Sequence, residues 1–234
     1  MKIRVKFSKQ GMLRFVGHLD LMRYFQKAIL RAGIPIRFSE GFSPHQIMTF
    51  AAPLGMGITG LGEYMDIETI DALQEAMPSS VCMEKLNREM AEGVRIEKYL
   101  RIPDETENAM ATVASADYRV VFRPAFDVSE TELLAGRTAD FLRRESIPAQ
   151  RTGKNGTKEI DIRPMIGSLA ADSDGFVMNI AQGSEANLKP QTLMEAFFAD
   201  DADRLCGSRT HRIIRTEIYD RDHRRLDEYG NEII

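Results

Sequence analysis

Apolar residues change their spacing in a fixed order along this chain, and that order restricts the folds open to it. In "KIRVKFS" Ile3, Val5 and Phe7 alternate with Lys2, Arg4 and Lys6, the period of a half-buried strand. From His18 to Ala32 the spacing lengthens. Leu19, Met22, Phe25 and Ile29 fall three to four apart, as on the buried stripe of a helix, and Gly33 and Pro35 end it. "PIRFS" and "EYMDIET" are strand candidates, "SSVCMEKLNREMAEG" is a helix with a serine cap, and "VRIEKYLRI" is a closing strand. The order is β-α-β-β-α-β.

The same order returns after a linker at "DETENAMATVASA". "YRVVFRP" is a strand and "SETELLAGRTADFLRRES" a helix opened by Ser129. "EIDIRPMIGSLAAD" and "GFVMNIAQ" are strands around the turn "SDG". "KPQTLMEAFF" is a helix with proline at its start, and "HRIIRTEIYD" is the last strand. This pattern predicts an α+β protein of two ferredoxin-like (βαββαβ) halves with antiparallel sheets. Residues 1–103 form the first half, with a glycine-rich insertion. Residues 117–220 form the second, and 221–234 a charged C-terminal tail, solvated or bound to a partner.

Helices on one face of each sheet leave the other face open. Lys2, Arg4 and Lys6 are expected there in the first half, and Arg119 and Arg123 in the second. Either these faces meet a polyanion or they pack on something else. Charge is unevenly distributed. Residues 1–60 hold nine lysines and arginines against two acids, whereas 61–110 hold five against twelve. A local basic segment is the electrostatic footprint of a nucleic-acid binder even in an acidic chain.

Within that segment Arg23, Lys27 and Arg31 recur every four residues opposite the apolar stripe. They form either an ordinary wet helix face or a ridge that follows phosphates. His18, in "GHLD", opens the same helix and is a candidate general acid/base, or else a capping-region histidine bonded to Asp20. The connection "RFSEGFSPHQIMTFAAPLGMGITGLGE" is the least ordinary stretch. Gly41 supplies a special backbone angle and Pro44 stiffens the chain before His45, a second acid/base candidate. Glu40, Gly41, Phe42, Ser43 and His45 are expected to hold ligand. Gly55, Gly57, Gly60 and Gly62 follow without the lysine of a phosphate-cradling loop, and are read either as a binding loop or as a hairpin extension. His18, Glu40, His45 and Glu63 could converge, but their spacing fits no metal motif, so no metal and no cofactor are expected. In the second half Lys154, Lys158, Asp161 and Arg163 surround a basic hairpin tip and are further ligand candidates.

Cys82 and Cys206 lie far apart and are expected to pack as small apolar side chains in a reducing cytoplasm. No run approaches the length of a membrane span.

Taken together, "RFVGHLDLMRYFQKAILRAGIPIRFSEGFSPHQIMTFAAPLGMGITGLGEYMDIE", "KEIDIRPMI" and "NLKPQTLMEAF" resemble the bacterial radical-SAM-associated, or radical-SAM-linked, proteins of unknown function. Gly17 replaces the serine that often precedes the histidine in that family. The chain lacks a CxxxCxxC cluster site and resembles the stand-alone form. The resemblance implies RNA or a ribonucleoprotein and a radical-SAM enzyme as partners, and carries over no catalytic residue. The expected function is therefore an accessory RNA-binding module. The alternatives are a stand-alone RNA-processing or RNA-modifying enzyme using His18 or His45, and a protein-binding scaffold.

Overall fold

The computed structural model describes residues 1–70, 76–153, 156–199 and 209–234. The chain is a mixed α+β protein with mostly antiparallel strands. It divides into two compact units. Met1–Val113 with Glu217–Ile234 form the first, and Ala114–Thr216 the second.

In the first unit β1 (Lys2–Lys9), α1 (His18–Arg31), β2 (Met48–Phe50), β3 (Thr59–Glu68), α2 (Ser79–Glu89) and β4 (Val94–Ile102) follow in turn. β4 and β3 flank β1, and β2 pairs with β3. The alternation in β1 decides what each face meets. Ile3, Val5 and Phe7 are buried in one core with Leu21, Phe25 and Ile29 of α1 and Cys82 and Leu86 of α2. Each such side chain contributes about 1.5–3 kcal/mol by leaving water. The Phe7 and Phe25 rings meet edge-on at 4.8 Å. α1 ends in a Schellman arrangement. Gly33, at φ +66°, donates to Leu30, and Ile34 donates to Ile29. The α2 cap is Pro78, not a serine; the Ser79 hydroxyl instead donates to the Tyr99 carbonyl. "PIRFS" makes only isolated bridges, at Ile36 and Phe38, and the second strand forms later, at 48–50.

The face expected to stand open in this unit is covered. Arg4 is fully buried. It grips Asp66 through two bonds of 2.8 and 2.9 Å and also donates to the carbonyl of Leu226. Lys6 reaches Glu217 at 2.6 Å and Asp227 at 3.2 Å. Lys98 adds a contact to Asp227 at 2.8 Å, and the Tyr64 hydroxyl donates to Glu217 at 2.6 Å. Burial, and then the Glu217 charge, push the Tyr64 phenol far above its ordinary value. Residues 217–234 are thus no solvated tail. Leu226 and Asp227 are buried, and β11 (Asn231–Glu232) pairs with β4. Two acids of this segment neutralise Lys6, whereas Arg4 is neutralised by Asp66 of β3. The linker also folds. α3 (Ala109–Thr112) is fixed where the Ala109 amide donates to Asp66.

In the second unit β5 (Ser115–Arg123), α4 (Val128–Leu142), the hairpin β6 (Pro148–Gly153) and β7 (Gly156–Asp161), β8 (Ile166–Asp172), β9 (Gly175–Ala181) and α5 (Pro190–Phe197) follow. β10 (Thr210–Tyr219) begins here, beside β5, and β9 and β8 complete the sheet on the other side of β5. Val120 pairs with Phe176, whose ring meets Phe197 of α5 at 5.1 Å, and Phe197 meets Phe141 of α4 at 5.2 Å. α4 is opened by an Asp127–Glu130 capping box; Ser129 only donates to Asp127. Arg119 and Arg123 do lie on the opposite side of β5, but Asp172 and Asp174 neutralise them.

Candidate nucleic-acid interface

With the open face of β1 covered, the first unit keeps exposed cations along α1 and also at Arg37, Arg88, Arg95, Arg221, Arg224 and Arg225. Arg23, Lys27 and Arg31 are all exposed. Arg23 makes a loose pair with Asp20 at 3.4 Å, both side chains about 70 % exposed (68 % and 71 %), which water screens heavily. Arg31 is held more firmly, at 2.7 Å from Glu89. Lys27 has no ion pair among the described residues. The ridge is therefore strongest at Arg23 and Lys27.

The connection 37–47 is a small closed loop tied to this helix. Phe38 bridges Gln46, and the Ile47 amide donates to the Arg37 carbonyl. Ser39 closes the neck. Its amide donates to the His45 carbonyl at 2.8 Å, its hydroxyl accepts from the His45 amide at 3.1 Å, and the same hydroxyl lies 2.9 Å from His45 Nδ1. The buried Gln46 then donates from Nε2 to the Gln26 carbonyl of α1 at 3.0 Å. This bond fixes the loop's base next to Lys27. Beyond the neck Glu40, Gly41, Phe42 and Ser43 are exposed, with Gly41 at φ +110°. Phe42 is exposed over its whole side chain. A rigid neck, a bare aromatic ring at the tip and a row of cations on the supporting helix suit an unpaired nucleic-acid strand. In general an exposed ring can stack a base, and lysine and arginine can follow phosphates.

The other candidates separate. His18 stands at the start of α1, half-buried, with its ring 5.3 Å from Phe50. Burial, and then the charge of Lys9, hold it below the ordinary histidine value, so it is neutral at pH 7. Asp20 bonds Arg23 rather than His18. Among the described residues no three His, Cys, Asp or Glu side chains gather to hold a metal, so His18, Glu40, His45 and Glu63 do not form one metal centre. The glycine segment is docked internally. Gly57, at φ +83°, donates to Arg14, and Gly60 leaves the space that the Glu63 side chain fills. The Glu63 side chain lies over the backbone at Gly60, while Gly55 and Met56 stand exposed.

In the second unit Lys154 lies outside the described residues, as does Cys206. Lys158 is exposed on β7. Asp161 and Arg163 are structural. Asp161 accepts from the amides of Ile147 and Arg163, and Arg163 donates to the carbonyls of Leu142 and Ile166. They root the hairpin on the end of α4. Gln26 and Gln46 were not anticipated as site residues, because a side chain bonding a helix carbonyl leaves no periodic trace.

Among the described residues, no helix is long and apolar enough to cross a membrane. A comparison with curated proteins finds no match. A family model described as "Uncharacterized protein conserved in bacteria (DUF2344)" matches residues 2–190.

Proposed function

The chain belongs to this bacterial family, and from that premise we propose that it is an RNA-binding accessory module that presents its RNA to a radical-SAM enzyme. The observation that carries the reading is the attachment of the Phe42 loop to the helix bearing Arg23 and Lys27, through Gln46 and the Gln26 carbonyl. The two functions of a single-strand site, stacking and phosphate contact, then share one rigid support. The radical-SAM partner rests on the resemblance of the quoted sequence blocks alone. We read both units as ferredoxin-like. The strand orders β4-β1-β3, with β2 on β3, and β10-β5-β9-β8 support this, as do the helices after the first and third of those strands in each unit.

The test is fluorescence anisotropy with an unstructured RNA strand at two salt concentrations. Reversing Arg23 and Lys27 to Glu weakens binding and lowers the salt slope by about two. Phe42→Ala weakens it by about 1–3 kcal/mol, the contribution of one stacked base. Unchanged affinity in both variants sinks the proposal.

A second reading, an RNA-processing enzyme, would use the half-buried His18 at the start of α1 as its acid/base. RNA turnover by the parent chain that disappears in His18→Ala would support it over the binding module.

A further inference from the structure

The β6–β7 hairpin is a sheet of its own, separate from the main one. Its register sets Arg151 opposite Lys158. Directly opposed residues in an antiparallel pair share a face, with Cβ atoms about 5 Å apart, and like charges there repel. Both side chains are exposed. Neither has an ion pair among the described residues. Glu159 is opposed to Gln150, so it lies on the other face of the ribbon, and Asp161 is committed to two amides at the root. A two-stranded ribbon gains nothing in its own stability from this pair. An anion between the two cations would remove the repulsion.

The ribbon's chemistry also says which part of an RNA it fits. Residues 148–161 contain no Phe, Tyr or Trp, so the ribbon has no ring on which an unpaired base could stack. The loop at Phe42 has one. Paired RNA hides its base faces and offers phosphates and 2′-hydroxyls instead. We propose that the face of the β6–β7 ribbon carrying Arg151 and Lys158 binds the phosphate backbone of double-helical RNA. The ligand of the whole chain is then an RNA with both a paired stem and an unpaired segment. This rests on the RNA-binding reading above and narrows it to a substrate class.

The experiment measures anisotropy of the full chain with a blunt RNA duplex and with an unstructured strand of equal length. In Arg151→Glu/Lys158→Glu duplex affinity falls about tenfold or more and the salt slope drops by about two, while affinity for the strand is unchanged. The single variant Arg151→Glu turns the opposed pair into one of opposite sign. Its melting temperature is expected at or above that of the parent chain while its duplex affinity still falls. A purely structural role would move both downward. Duplex binding by the parent chain that survives the double reversal overturns the proposal, as does binding to the strand with none to the duplex. Binding to neither RNA refutes the RNA-binding reading itself and this inference with it. Loss confined to the strand in Arg23→Glu/Lys27→Glu, with duplex binding intact, separates the two surfaces.

Discussion

Arg4 and Asp66 face each other across β1 and β3 as register partners and are joined by two guanidinium–carboxylate bonds, with Arg4 wholly out of water. The same carboxylate accepts from the Ala109 amide, so one side chain fastens two strands and the start of α3. Asp66→Ala strands a buried guanidinium and is expected to cost about 3–5 kcal/mol in urea unfolding. The double change Arg4→Met/Asp66→Leu removes both charges and is expected to recover most of that loss. A double variant as unstable as the single one would show that the pair is not the source of the effect.

Asp227 gives the first unit a dependence on acid. Burial alone would raise its carboxyl, but hydrogen bonds and charge from Lys98 and Lys6 outweigh it and hold the group below the usual carboxylate range. A carboxyl lowered in the folded state stabilises above its unfolded value, near 3.9, and loses that contribution as pH falls through the lowered folded value. Stability should therefore drop in this acid range. In Asp227→Asn the parent should lose more stability on acidification than the variant, as read by melting at several pH values.

His18 gives a second dependence, nearer neutrality. Its folded value is lowered, so below about 6.5 the unfolded chain binds a proton that the folded chain does not. Stability should fall as pH drops from 6.5 towards the folded value. His18→Gln should flatten that slope, and a ring-proton titration by NMR should place His18 below a free histidine. A normal titration midpoint would contradict the burial against Phe50.

The tie between Gln46 and Gln26 can be cut alone. Gln46→Ala should cost about 1 kcal/mol of stability, the net value of an ordinary hydrogen bond. Its effect on binding to unstructured RNA should be larger if the tie orients Phe42. Equal affinity with the parent would mean that the loop does not need its anchor.

Much of the fold could be read locally. The change from alternation to three–four spacing marked β1, α1, α2, β4, β5 and α4 because each sets its apolar side chains on one face. Gly33 and Pro190 stand where helix termini require them. Local pattern misplaced the second strand, because the loop closed by Ser39 and His45 occupies the stretch where "PIRFS" reads as extended. β6 passed unnoticed because "PAQRTG" has no apolar alternation. The larger failure concerned Arg4 and Lys6. The partners of Lys6 lie 211 and 221 residues away, and no window along a sequence reveals which distant acids fold back. The exposed polar face of α1 was legible because it depends only on helix phase. The Gln46 tether and the opposed cations of the β6–β7 ribbon were not, since both depend on register.

The division of the chain has a consequence for its synthesis. The first unit is completed by Glu217–Ile234, after the whole of Ala114–Thr216 has been made. At ordinary elongation rates that interval is roughly 5–20 s. During it a nascent chain has Arg4 and Lys6 but none of the acids that later enclose the lysine, while it is still attached to the translating ribosome. Unit-by-unit maturation from the amino terminus is therefore closed to this protein. Its β1 waits, half-clad, for residues 217–234.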